Sequence, residues 1–220
     1  MIAALVAAAA TAAPASPLPD YRPGDAFVFS DGRVERVRRV EGDRVTWSGL
    51  GSRTYARSRN PVVPVLAWSL SGAEGERQVS AGAERLWPLR PGSSARFRVV
   101  TQIRQGKGSR RSVAFWKCGV GRETQTAVPA GTFRALPIRC ERYSSSSMRL
   151  AERIEWDWSP EVGHYVRRRS TLYSNGSIRE LTLFAALPAG SATLPRLRAL
   201  SVAAKSSLQP RAKKISPARE

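Results

Sequence analysis

The apolar and polar residues of segment 25–184 alternate with a period of two, which is typical of half-buried β-strands. In Arg96-Phe97-Arg98-Val99 the two apolar side chains share one face and the arginines share the other. The run Ile-Glu-Trp-Asp-Trp at 154–158 likewise separates three apolar residues from two acids. Because no part of this region keeps a 3.6-residue period, the pattern predicts one mostly β domain.

Turn signals divide this region into hairpins. Asp31-Gly32 and Asn175-Gly176 each stand between alternating runs, and both dipeptides favour the type I′ turn of a two-residue hairpin. Further strands are predicted near 111–120, 123–128 and 132–142. Segment 57–92 is less regular, so we expect it to cover a sheet edge or an open face, with a polar loop from Gly72 to Gly82. The predicted fold is an antiparallel meander of hairpins that forms a curved sheet or half-barrel.

The two ends of the chain differ from the domain between them. Residues 1–15 are small, apolar and uncharged and end in Ala13-Pro14-Ala15, which predicts a cleaved signal peptide, although a basic start is missing. We therefore expect a periplasmic or secreted bacterial protein, with no transmembrane segment in the mature chain. Residues 16–24 are predicted as a linker and 25–187 as the β domain. Residues 188–220 hold seven basic residues and one acid and are predicted as a disordered basic tail.

The chain is strongly basic, with a formal net charge of +19. Arginine outnumbers lysine by 31 to five and is spread along the sequence, which is typical of a GC-rich genome rather than of a nucleic-acid site. For an exported protein, attraction to an anionic envelope surface is the favoured consequence. Specific nucleic-acid binding is not expected, but binding of nucleic acid or another anionic polymer through an arginine-rich surface stays open as an alternative.

Cys118 and Cys140 are the only cysteines. An exported location favours a disulfide between them. If three separate strands run from 111 to 142, however, the two cysteines lie on strands two apart, about 9–10 Å from each other, which is beyond disulfide reach. The alternatives are two buried thiols or, less favoured by this wide spacing, a metal or redox pair.

Candidate catalytic groups are few. Glu155 and Asp157 project from one strand face about 7 Å apart, near the separation used by inverting glycosidases. His164 is the only histidine, so a nucleophilic triad would need it, and no Gly-x-Ser-x-Gly motif is present. One histidine and two cysteines do not supply a zinc site. We expect no cofactor and no metal, a structural or surface role for His164, and a solvated strand face, with arginines opposite, for the two acids.

Turn motifs within about residues 95–184 carry a loose resemblance. They are Val128-Pro-Ala-Gly-Thr-Phe133 and the Pro-x-x-Gly-x-x-Val pattern of 160–166. They resemble turns of uncharacterised bacterial exported β-rich envelope proteins, which look similar to the curved sheets of periplasmic lipoprotein carriers. The resemblance implies a fold and transfers no catalytic residue.

These observations predict a non-enzymatic exported envelope protein that binds a lipid or another hydrophobic ligand or partner. The first alternative is a glycan-acting hydrolase that uses Glu155 and Asp157. The second is the anionic-polymer binder. The ligand-binding residues are not identified by the sequence.

Overall fold

The computed structural model describes residues 15–70 and 72–208 and shows a mostly β protein with one long helix. All strand pairings are antiparallel. The strands are β1 (Ala26–Phe29), β2 (Val34–Glu41), β3 (Arg44–Ser48), β4 (Thr54–Ser58), β5 (Ala67–Leu70), β6 (Ala73–Val79), β7 (Ser94–Gln105), β8 (Gly108–Val120), β9 (Thr124–Val128), β10 (Gly131–Ser144), β11 (Leu150–Ser159), β12 (His164–Leu172) and β13 (Ile178–Leu187). The helix α1 spans Leu194–Leu208.

The sheet closes on itself to form a barrel. Neighbouring strands follow the chain from β1 to β8, β8 pairs with β10, and β10 to β13 continue the ring. The last strand then pairs with the first, with Ala26 opposite Leu187. The prediction of a mostly β, antiparallel domain is confirmed. The curvature goes further than the predicted half-barrel, because both outer strands find a partner.

The remaining strand, β9, continues the line of β8. Val120 lies opposite Ile138 and Thr124 lies opposite Ala135, so three residues of one strand face two of the other. The Gly121 N–H donates to the Pro137 carbonyl and bridges this bulge. A bulge of this kind bends a strand without ending its ladder. Strands β8, β9 and β10 are therefore two lines of one long hairpin rather than the three-strand meander predicted from the sequence.

The irregular segment 57–92 contributes more to the barrel than was predicted. Its polar part is the strand β6, so the expectation of a loop from Gly72 to Gly82 is wrong over most of that stretch. The strand alternates exposed and less exposed residues, and it pairs fully with β7. Few apolar residues are needed there, because β7 supplies the ladder hydrogen bonds.

The prediction of a disordered tail over 188–220 is wrong for residues 188–208. The helix α1 lies on the outer face of the barrel, where Leu197 and Ala204 pack against Ala26, Val28 and other residues of a small second core. The surfaces of the helix and of the barrel that face each other carry small side chains, such as Ala26 and Ala204. The narrow apolar stripe of the helix therefore packs closely against the barrel. In residues 15–70 and 72–208, no helix combines the length and apolar character needed to cross a bilayer.

The segment before β1 is packed rather than a free linker. Within the predicted linker 16–24, Ser16 and Tyr21 are buried, and Ser16 forms a β-bridge with Leu89. The Trp158 indole N–H donates to Ser16 Oγ at 3.2 Å. The predicted signal peptide, residues 1–15, lies outside the described residues except for its last position.

The two ends of the barrel differ. At one end, which we call the turn end, lie the hairpin connections β1–β2, β3–β4, β5–β6, β7–β8, β10–β11 and β12–β13. At the other end the chain enters at residues 15–25, and the long connections 59–66 and 80–93 begin and end there, with residues 61–65 reaching into the barrel interior. The inner core of this second end includes Trp47, Trp158 and Leu86.

Candidate functional site inside the barrel

A buried glutamate lies at the centre of the barrel interior. Glu35 on β2 is 1% exposed. Its Oε1 accepts a hydrogen bond from Arg57 Nη2 at 3.3 Å, and its Oε2 accepts one from the Tyr165 hydroxyl at 3.1 Å. The alternation of three different strands directs these side chains inward. Glu35 and Arg57 come from β2 and β4, the two neighbours of β3, whereas Tyr165 on β12 meets Glu35 across the junction of β13 with β1.

The charge of Glu35 is maintained by its neighbours. Burial by itself would raise the pKa of this carboxyl, but Arg57, followed by His164, holds the pKa well below its usual range. In return, Glu35 outweighs the effect of burial on Arg57 and raises the pKa of that guanidinium. Burial, reinforced by the negative charge of Glu35, raises the pKa of Tyr165 above its ordinary value. The site therefore holds one ionised pair and a neutral phenol.

His164 is a core residue next to this pair. It is buried, its ring stacks on Phe27 with centroids 3.9 Å apart, and its Nδ1 lies 2.8 Å from the Tyr21 hydroxyl. Burial lowers the pKa of His164 and outweighs the opposite effect of Glu35. The neutral ring accepts from Tyr21 at Nδ1 and directs its Nε2 toward Glu35 Oε2, 3.6 Å away. This geometry gives His164 a structural role.

A cavity of about 450 Å³ occupies the half of the interior nearer the turn end. Its wall includes the connection 61–65 and apolar side chains such as Trp116, Trp156 and Ile154. Four arginines also line it: Arg57, Arg77, Arg142 and Arg168. One acid, Glu152, is part of the lining.

Two of these arginines are neutralised. Arg57 pairs with Glu35, and Arg142 donates from Nε to Glu152 Oε2 at 3.0 Å. Within the described part of the chain, neither Arg77 nor Arg168 forms an ion pair with a carboxylate.

Arg77 is fixed in the wall of the cavity. Its Nη1 donates to the Val65 carbonyl at 2.8 Å, and its guanidinium stacks over the Trp68 ring, 4.3 Å from the centroid. The same ring covers Gly75, where a Cβ would lie 2.0 Å from its nearest ring atom. Gly75 therefore makes room for the indole that holds Arg77.

Arg168 is the least satisfied of the four. It is partly buried, and within residues 15–70 and 72–208 its side chain has no hydrogen-bond partner. Burial lowers the pKa of this guanidinium, and the charge of Arg57 lowers it further, against the opposite effects of Tyr165 and Glu35. The cavity thus contains positive charge that the protein itself leaves uncompensated.

Cys118 and Cys140 are joined by a disulfide. They face each other directly on β8 and β10, with Cα atoms 4.1 Å apart. The predicted separation by a middle strand is wrong, because β9 extends β8 instead of lying between the two strands. Both residues are buried in the main core, so the bond ties two neighbouring strands of the ring.

Glu155 and Asp157 are not in the cavity. They line a groove of about 770 Å³ on the outer face. Glu155 accepts from Arg139 at 3.0 Å, whereas Asp157 accepts from Arg167 at 2.7 Å and from the Thr126 hydroxyl at 2.9 Å. Each carboxylate is engaged by its own arginine, as expected for the polar face of a strand, but Asp157 is buried rather than solvated. Among the described residues, no cluster of histidine, cysteine and acidic side chains suits a metal ion.

The sequence analysis did not find the interior charges. A signal was present: Arg168 lies opposite Trp156, which faces inward, while its outward neighbours Arg167 and Arg169 follow the solvent-facing pattern. A charged residue at an inward position of an alternating strand marks either a buried pair or a site. The abundance of arginine elsewhere in the chain concealed it.

The fold and the interior define the class: a closed antiparallel β-barrel with an arginine-lined internal cavity. The chain is similar in fold to the hypothetical lipoprotein YmcC of Escherichia coli K12, at a TM-score of 0.51 and 10% identity, over 74% of this chain and 84% of that one. A protein of Bacteroides fragilis described as exported, with a YmcC-like fold, aligns at a TM-score of 0.43 and 12% identity, over 80% of this chain and all of that one. No protein-family model matches the sequence, and no significant match is found among curated proteins. The likeness therefore concerns fold alone.

Proposed function

We propose that this protein is a non-enzymatic binding protein of the bacterial envelope, and that its barrel holds an amphiphile with an acidic head group. The observation that carries this proposal is the Arg168 guanidinium, which lines the cavity without a carboxylate partner among the described residues. A buried charge without a partner costs free energy. A carboxylate or phosphate in the cavity would supply that partner.

The surroundings of Arg168 suit an anion. Arg57 and Arg168 line the same cavity. Guanidinium groups bind carboxylates and phosphates through two parallel hydrogen bonds. The two acids close to these arginines are already engaged, since Glu35 accepts from Arg57 and Tyr165 and Glu152 accepts from Arg142. Arg168 is therefore the guanidinium that remains available to bind an anion.

The rest of the wall suits an apolar group. Trp116, Trp156 and Ile154 line the same cavity as the arginines. A volume of about 450 Å³ falls within the range of sites for small ligands. An acidic head against the arginines and a hydrocarbon chain against the indoles would satisfy both parts of the lining.

An envelope location is supported by the sequence and by the fold. The small apolar start of the chain and the disulfide both fit an oxidising compartment outside the cytoplasm. The structural relatives are described as a lipoprotein and as an exported protein. The absence of catalytic activity remains part of the proposal, and the engaged carboxylates Glu155 and Asp157 give no reason to propose a hydrolase.

Titration calorimetry with three twelve-carbon probes tests the function. We expect dodecanoate and dodecyl phosphate to bind and dodecanol to bind at least about tenfold more weakly, since a charged hydrogen bond contributes about 1.5–3 kcal/mol. Quenching or enhancement of tryptophan fluorescence should accompany binding, because Trp116 and Trp156 line the cavity.

A pair of variants on one strand locates the site. Arg168→Gln should weaken dodecanoate binding about tenfold or more without lowering the melting temperature, because it removes an unpaired charge. The matched control is Arg169→Gln, which removes the same charge from the exposed neighbouring position. Equal affinity in both variants, or equal binding of dodecanol and dodecanoate, would contradict the proposed site.

A further inference from the structure

The hairpin of β7 and β8 carries a concentrated positive charge at the turn end. Residues 100–112 include four basic and no acidic residues, namely Arg104, Lys107, Arg110 and Arg111. All four are exposed. In the part of the chain that the structure describes, none of them forms an ion pair. This positive charge therefore faces solvent without local compensation.

The hairpin also projects beyond its neighbour. Strands β7 and β8 pair as far as Gln105 and Gly108, whereas the pairing of β8 with β10 ends at Ala114 and Ser144. The first residues of β8, together with the last residues of β7, thus extend past the β10–β11 connection. A projecting basic hairpin can reach a surface before the rest of the barrel does.

Apolar side chains are exposed at the same end. Leu70 is 54% exposed beside the β5–β6 connection, and Met148 is 62% exposed in the β10–β11 connection. Tyr173 and Ile178, which flank the β12–β13 turn, are 44% and 58% exposed. Exposed apolar residues that gather on one surface are typical of protein or membrane interaction sites.

The C-terminal part of the chain leads to this end as well. The Ser201 hydroxyl on α1 donates to the Gly32 carbonyl in the β1–β2 turn at 2.6 Å, so the last turns of the helix lie at the turn end. Beyond Leu208 the sequence continues with four basic residues and one acid, Arg211, Lys213, Lys214, Arg219 and Glu220.

We propose that the turn end docks on a lipid bilayer that contains anionic phospholipids. Basic side chains near such a surface each strengthen binding about fivefold at ordinary salt. The exposed leucine, methionine, tyrosine and isoleucine would enter the interface between head groups and acyl chains. A single-stranded polyanion would instead call for interleaved aromatic platforms, and Tyr173 is the one aromatic side chain among these four exposed apolar residues.

The docking surface and the cavity are related in position. The cavity lies in the half of the barrel nearer the turn end. Docking would therefore turn the cavity-bearing half toward the membrane. The docking proposal does not depend on which ligand the cavity takes, so the two proposals fail separately.

Vesicle co-sedimentation tests the docking surface. The full chain is mixed with vesicles of 30% phosphatidylglycerol in phosphatidylethanolamine, or of pure phosphatidylcholine, at 50 and 500 mM salt. We expect binding to the anionic vesicles that weakens at high salt, and little binding to phosphatidylcholine. The double variant Arg110→Gln with Arg111→Gln should lower the partition coefficient about 30-fold, from about fivefold per arginine. Met148→Ser with Ile178→Ser should lower it with no change in the salt dependence.

The matched control removes two charges from the same hairpin at its other end. Arg96 and Lys117 are exposed and lie opposite each other on β7 and β8. The variant Arg96→Gln with Lys117→Gln should bind vesicles like the unaltered protein, and circular dichroism verifies the fold of each variant. Equal loss in both charge variants would mean that net charge alone attracts the protein and would overturn the proposal. So would a loss of single-stranded nucleic-acid binding without a loss of vesicle binding in the Arg110–Arg111 variant.

Discussion

Glu35 and Arg57 form an ion pair inside the barrel, with Oε1 and Nη2 3.3 Å apart. The glutamate side chain is 1% exposed and the arginine side chain 17% exposed. The two residues come from β2 and β4, on either side of β3. The pair therefore spans three strands and depends on the curvature that brings β2 and β4 toward each other inside the barrel.

Removing one member of this pair should destabilise the fold. Glu35→Gln leaves Arg57 without its counter-charge, and we expect a loss of about 3 kcal/mol in the free energy of unfolding, measured by urea denaturation. The double variant Glu35→Gln with Arg57→Gln should be less destabilised than the sum of the two single variants. Additive effects would mean that the two charges do not interact.

Stability should fall in acid in two stages. The pKa of His164 is lowered in the folded state, so the unfolded chain takes up a proton first as the pH falls below about 6.5. The pKa of Glu35 is also lowered, so its contribution is present above about 4.5 and is lost as the pH falls further. Chemical denaturation at half-unit pH steps measures both stages.

The upper stage can be assigned with one variant. His164→Gln should flatten the decline of stability just below pH 6.5 and leave the decline below pH 4.5 in place. An unchanged profile in this variant would show that His164 does not titrate between the two states.

Reduction of the Cys118–Cys140 disulfide should lower stability without abolishing the fold. The bond joins residues 22 apart, and a loop of this size corresponds to about 3 kcal/mol. We expect the double variant Cys118→Ala with Cys140→Ala to resemble the reduced protein, with a small further loss from the removed sulfurs. Native protein whose thiols react with an alkylating reagent without prior reduction would contradict the bond.

The helix α1 should contribute to stability through its inner face. Leu197 is fully buried, and Leu197→Ala should cost about 2–4 kcal/mol. Val202→Ala on the same helix is the control, because Val202 is 65% exposed and its loss should cost less than about 0.5 kcal/mol. Similar small effects at both positions in thermal unfolding would mean that the helix does not dock in solution.

The strands were predictable where one face is apolar and the other polar. Arg96 to Val99 shows this pattern, and it lies in β7 as expected. The polar strand β6 was missed because its stability comes from ladder hydrogen bonds to β7 rather than from its own side chains. The helix was missed because alanine and serine form part of its inner face, and neither marks an apolar stripe.

The candidate site was less accessible to sequence reasoning than the fold. Glu35, Arg57 and Arg168 come from β2, β4 and β12, and no local motif connects them. These side chains come together because the sheet curves and closes into a ring. The alternating pattern of one strand does not reveal which other strands will face it across the interior. Cys118 lies directly opposite Cys140 because one extra residue forms a bulge between β8 and β9 and shifts the pairing with β10. A bulge has no reliable sequence signature, so this pairing could not be predicted either.

The pairing of β1 with β13 has a consequence for the order of events during biosynthesis. Ala26 meets Leu187, so the first strand keeps an open edge until nearly the whole domain has left the ribosome. The contacts that complete the ring are among the longest in sequence, and such contacts form late because closing a long loop is entropically costly. Until β13 is made, the outer edge of β1 is open to pairing with another chain. Once the last strand is added, that edge is occupied and another copy cannot extend it.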